Sequence, residues 1–104
     1  MAGRSGAAAI EMELREAAAN FVTFVPTLAK QLQSTNAELA TSLIAVKETK
    51  PTVVRREDEM YLQYAEAVDD ITKFDVSSEF GEIAYGVEIQ CNGSRVIGVS
   101  LYLQ

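Results

Sequence analysis

Along the first half of the chain, apolar residues recur at Ile10, Leu14, Ala17, Phe21, Phe24, Leu28 and Leu32, and again at Leu39, Leu43 and Val46, with Thr35 an imperfect member between the two sets. The mean step of this series is 3.6 residues, the α-helical period. Residues 7–50 are therefore expected to form a long or kinked helical region, preceded by a disordered tail over 1–6 that contains Gly and Ser. Lys47 and Lys50 suit the negative end of a helix dipole, and Pro51 prevents continuation.

A straight helix over most of that span would be roughly 60 Å long. A compact domain of about 100 residues has a radius of gyration near 13 Å, so a break is expected. Pro26 lacks a backbone donor and crowds the carbonyl of Val22, while Thr23 offers a cap for a fresh helix. The break is placed there. A turn at Ser34-Thr35, where Thr35 and Glu38 have capping-box spacing, is the second option. A short strand over Phe21–Val25 ranks lower.

After Pro51 the helical pattern resumes. Glu57, Asp58 and Glu59 favour a helix N-terminus, and Met60, Tyr64, Val68 and Ile71 follow on one helical face. Residues 55–72 are expected to be a second helical region. Thr72–Val76 alternates like a short third strand, Ser77-Ser78 suggests a turn, and Gly81 a bulge where apolar parity shifts.

Over residues 80–104 the period becomes two, and a β-hairpin is expected. The apolar rows are Ile83, Tyr85, Val87 and Ile89 in the first strand and Ile97, Val99, Leu101 and Leu103 in the second. Asn92-Gly93 suggests a two-residue turn. That turn alone would put the two odd-numbered rows on opposite faces of the sheet. A three-residue loop, Cys91-Asn92-Gly93, pairs Val87 with Ile97 and restores one shared face, with Gly93 in the left-handed region. The fold class is thus α+β, a single domain over 1–104. Two or three N-terminal helical segments pack on a C-terminal antiparallel hairpin, with a third strand as an extension.

Composition narrows the chemistry. The 104 residues are 48% hydrophobic and 23% charged, as in a folded soluble domain. A net charge of −6 makes the chain a poor ligand for a nucleic-acid backbone. Its only basic pair, Arg55-Arg56, runs straight into Glu57-Asp58-Glu59. The absence of histidine removes imidazole metal sites and Ser-His or Cys-His nucleophiles. The single cysteine, Cys91, permits no internal disulfide and has only Arg95 nearby to stabilise a thiolate. No apolar run reaches transmembrane length, so neither a membrane nor a secretory location is expected, and the cytoplasm is the simplest assignment.

Candidate sites were weighed on the same footing. Glu66, Asp69 and Asp70 share a helical face, but no converging loop completes a cation site, so no metal and no cofactor are expected. A pocket joining Tyr64 or Tyr85 to Glu88 is the only acid–base constellation on offer. Tyrosines bury area while keeping a hydrogen bond, which suits interfaces. The even face of the hairpin, with Gly86, Gly98, Ser100 and Tyr102, together with Tyr61, is the expected contact surface. The function expected is therefore non-enzymatic: a structural or protein–protein interaction protein that self-associates through helix and sheet faces as a homo-oligomer. A small acidic chaperone or adaptor for a partner chain is the alternative, and an enzyme ranks third.

Overall fold

The computed structural model describes residues 2–56, 59–65, 72–76 and 85–103. Two helices, α1 (Ala2–Gln33) and α2 (Ala37–Lys47), pack on one face of a five-stranded antiparallel sheet. The strands are β1 (Thr52–Arg56), β2 (Glu59–Ala65), β3 (Thr72–Asp75), β4 (Tyr85–Asn92) and β5 (Arg95–Leu103), in the order β1-β2-β5-β4-β3. The α+β class holds, with two helices and five strands among the described residues where two or three helical segments and a hairpin, extended at most by a third strand, were expected.

The helical region breaks at residues 34–36, not at Pro26. α1 runs through Pro26, which faces solvent, as does Val22, whose carbonyl the ring crowds. A carbonyl on the wet side of a helix can tilt toward water, so the lost hydrogen bond costs little there. Thr23 starts no new helix, since its hydroxyl donates back to the Ala19 carbonyl at 3.0 Å. The cap of α2 is Asn36 rather than Thr35. Asn36 Oδ1 accepts the N–H groups of Glu38 (3.1 Å) and Leu39 (3.2 Å), while Thr35 donates to the Leu32 carbonyl. Helix α1 already begins at Ala2, inside the stretch expected to be a disordered tail, and α2 stops at Lys47 as its basic last turn and Pro51 require. At 32 residues α1 is about 48 Å long, which accounts for the longest dimension of the molecule, 50 Å.

The expected second helix over 55–72 is corrected to strand at the described residues of that span, 55–56, 59–65 and 72. Met60 and Tyr64 are four residues apart, a spacing shared by one helix face and one strand face. Leu62 between them decides the matter: Leu62 and Tyr64 point into the core beside Met60, and the intervening residues Tyr61 and Gln63 point away from the helices. The β-branched run Thr52-Val53-Val54 supplies the partner strand, with Val54 opposite Tyr61. Val68, Ile71, Glu57 and Asp58 lie outside the described residues, as do Ser77-Ser78, Gly81 and Ile83. The expected third strand is present as β3, paired with β4.

The hairpin β4–β5 reaches its register by a different route from the one expected. Asn92 pairs with Arg95, leaving the two-residue loop Gly93-Ser94. Gly93 has φ +64°, and a Cβ there would meet nothing within 4 Å, so backbone conformation rather than space calls for glycine. It occupies the first loop position, where a type II′ turn carries its glycine. Beyond the turn, Cys91 pairs with Val96 but Gln90 with Gly98, so Ile97 is an extra residue, a β-bulge. The bulge corrects the parity that the short loop breaks. Val87 faces Leu101 instead of Ile97, and Ile89 faces Val99. Tyr85, Val87 and Ile89 share the helix-side face with Val99, Leu101 and Leu103, while Val96 takes the core place expected of Ile97 and Ile83 lies outside the described residues.

The core lies between this face and the helices. Leu14, Phe21, Val25 and Leu28 of α1 and Leu43 and Val46 of α2 meet Leu62, Tyr64, Val87, Val99 and Leu101 of the sheet. The Phe21 and Tyr64 rings are 5.2 Å apart. Ser42 ties the layers together, because its hydroxyl accepts the Val96 N–H at 2.8 Å and donates to the Glu38 carbonyl at 2.7 Å.

Candidate functional site

The helices contact mainly β2 and β5, and among the described residues no element packs on the outer face of the sheet. Strand alternation and register place three rows of side chains on that face. Tyr61, Tyr102 and Gly86 form one row, Gln63, Ser100 and Glu88 the next, and Gly98 and Gln90 the third, where Ala65 pairs with Gly98 but, at φ +58°, packs against the core. All five residues singled out from the sequence, Tyr61, Gly86, Gly98, Ser100 and Tyr102, therefore lie together here. Tyr61 arrives from a strand, not from a helix.

At the centre is a closed ring of hydrogen bonds across β2, β4 and β5. Gln63 Nε2 donates to Gln90 Oε1 (2.8 Å), Gln90 Nε2 donates to Ser100 Oγ (2.6 Å), and Ser100 Oγ donates to Gln63 Oε1 (2.5 Å). The spare amide protons are used as well, on the Tyr64 carbonyl at 3.1 Å and the Glu88 carboxylate at 3.2 Å. All three residues are buried, and a buried polar group is tolerated because each is satisfied. Chains of such bonds polarise and strengthen one another. Ser100 was visible in the sequence as part of this face, whereas Gln63 and Gln90 were missed. Their signal was a glutamine amid apolar strand residues, legible only once 59–65 is recognised as a strand.

Beside the ring, the Tyr61 and Tyr102 rings stack at 4.9 Å, and the Arg56 guanidinium lies 5.9 Å from the Tyr61 centroid. Tyr102 pairs with Gly86 on its other side, where a small hollow is bordered by Gly86, Glu88 and Tyr102. Burial pushes the Tyr102 phenol up, the Ser100 hydroxyl pulls it down, and the Glu88 and Glu59 carboxylates raise it further. It remains a neutral donor.

The expected acid–base pocket does not form. Tyr64 and Tyr85 face the core, and Glu88 lies on the outer face. Burial raises both phenols, with Tyr85 adding to the shift at Tyr64, and the buried Tyr85 hydroxyl has no hydrogen-bond partner among the described residues. Cys91 also faces the core, and burial raises its thiol, so Arg95 in the exposed turn does not activate it. The acidic cluster Glu66, Asp69 and Asp70 lies outside the described residues. Arg55 reaches Glu11 of α1 at 3.4 Å in an exposed ion pair, the kind that contributes little to stability.

The helix side of the sheet has an opening of its own. Where β3 and β4 extend beyond the helices, a cleft of about 430 Å³ lies between Leu28, Leu32 and Leu39 on one wall and Phe74, Ile89 and Cys91 on the other. Gln31, Asp75, Val76 and Val96 complete its lining.

No protein-family model, curated protein or solved structure matches this chain. No described helix is long and apolar enough to cross a membrane.

Proposed function

We propose that the protein is a non-enzymatic self-associating protein whose outer sheet face meets the same face of a second copy. The observation that carries this reading is the closed Gln63–Gln90–Ser100 ring. It consumes the polar groups of the three central strands; beside it Tyr61 and Gly98 are buried, and the half-buried Tyr102 and Gly86 are the part of this face open to contact. Such a face loses little on desolvation, and its tyrosines are well suited to contact.

The exposed Ile10 continues the apolar side of α1 one turn before the buried Leu14 and offers a helix contact to the same assembly.

Light scattering on the purified protein at micromolar concentration tests this. The reading predicts a dimer or larger species that Tyr102→Lys converts to monomer while the far-UV circular dichroism is kept. A monomeric wild type would end it. Persistence of the oligomer in Tyr102→Lys would move the contact to another surface.

A further inference from the structure

The cleft between the helices and the β3–β4 wing is separate from the outer face and from every role assigned so far. We propose that it is a binding site for a small, neutral, largely apolar molecule. Its volume of about 430 Å³ falls within the range of ligand pockets, roughly 300–1,000 Å³. A docked helix has a diameter of about 10 Å with its side chains, too bulky for a cleft that is closed below by Ile89 and Cys91 of the sheet.

The walls set the ligand class. Leu28, Leu32 and Leu39 face Phe74, Ile89 and Cys91, so the surface is hydrocarbon and thiol. Burial raises the thiol of Cys91, which keeps it neutral. Asp75 also borders the cleft, but it alternates with Phe74 along β3 and pairs with Glu88, a register that puts it on the outer face, where it borders a small hollow with Tyr102. An ionic ligand would thus lose its hydration with no opposing charge inside the cleft. Gln31, exposed at the mouth, is the one amide on the lining and suits a single polar group on the ligand.

Phe74 is the second observation that points to an occupant. It lies on the helix-side face of the sheet, opposite Ile89, yet remains 50% exposed because the helices pack mainly on β2 and β5. A ligand between Phe74 and Leu39 would cover an aromatic surface that the fold brings to the core face and leaves open.

N-phenyl-1-naphthylamine, a neutral fluorophore, is the probe, and 1-anilinonaphthalene-8-sulfonate, its sulfonated analogue, the control. The proposal predicts saturable one-to-one binding of the neutral probe and binding of the anion weaker by about tenfold or more, since an unpaired buried charge is costly. Phe74→Ala should weaken the neutral probe by about tenfold, the loss of one aromatic contact surface. In the wild type, bound probe should slow iodoacetamide alkylation of Cys91, a readout that needs no variant. Absence of saturable binding overturns the proposal. So does equal binding of both dyes, or binding that neither protects Cys91 nor responds to Phe74→Ala. If Phe74→Ala changes the oligomeric state and leaves dye binding intact, the cleft is a contact between chains and the ligand proposal fails.

Discussion

The Ser42 hydroxyl accepts the backbone N–H of Val96, 2.8 Å away and one residue before the bulge at Ile97. A bulge disrupts the ladder locally and leaves backbone groups to be satisfied elsewhere. A side chain on α2 meets that need, so the helical layer and the hairpin register depend on one another. Ser42→Ala is expected to lower stability by about 1–2 kcal/mol. For a domain of this size, the melting temperature falls by roughly 4–8 °C per kcal/mol, which scanning calorimetry resolves. An unchanged melting temperature would mean that water replaces the hydroxyl without loss.

The ring across the three central strands should behave as a unit. Ser100→Ala leaves Gln63 Oε1 and one Gln90 proton without partners, and the expected loss is about 1–3 kcal/mol. Gln90→Leu should cost a comparable amount. The double variant should fall short of the sum by about 0.5–3 kcal/mol, because the second change removes a group that the first has already orphaned. Additive losses in urea titrations would show that the three bonds act independently.

Tyr85 gives the opposite case. Its buried hydroxyl has no partner among the described residues, so Tyr85→Phe removes a desolvated polar atom and keeps the ring. The expected change is a gain of about 1 kcal/mol, read from the urea midpoint. A loss would reveal a hydrogen bond to that hydroxyl in solution.

Ala65 closes β2 with φ +58°, in the left-handed region where its Cβ is crowded by backbone. Ala65→Gly relieves that strain at some cost in chain entropy, and a net gain of about 0.5–1 kcal/mol is expected. Thermal unfolding of the variant measures it, and a decrease would mean that the methyl contact with the core outweighs the strain.

Alkaline pH should weaken the fold. Burial raises the Cys91 thiol above 9.0 and the Tyr64, Tyr85 and Tyr102 phenols above 10.0. The folded protein then holds protons that the unfolded chain releases, so these groups contribute fully below their unfolded values. Their contribution is lost as pH rises through the folded values. The urea midpoint should fall from pH 9 upward, with tyrosinate absorbance lagging behind that of the unfolded chain. A midpoint flat to pH 11 would contradict this.

Much of the fold was legible where one period stood alone. The helical stripe from Leu14 to Val46, the stop at Lys47, the strand at Thr72–Asp75 and the shared face of Val87 and Leu101 all follow from local pattern. Met60 and Tyr64 misled because their spacing of four fits both periods, and Leu62 was the residue that separated them. Pro26 misled because its cost depends on which way Val22 faces, which is a tertiary fact. The Gln63–Gln90 bond joins residues 27 positions apart, and the cleft needs Leu39 beside Phe74. Neither pairing leaves a trace in a linear pattern.

The place of β5 has a consequence for how the protein is made. It lies between β2 and β4 and is the only strand that pairs with both. Until Arg95–Leu103 is available, β1–β2 and β3–β4 are two separate ribbons, and isolated ribbons are marginal in water. A chain emerging from the ribosome thus carries its helices and four strands with the keystone still to come. Leu62 must then find Leu101 across 39 residues, a long-range closure of the kind that slows folding. Removing the last strand should therefore not trim the sheet at an edge but divide it through the middle.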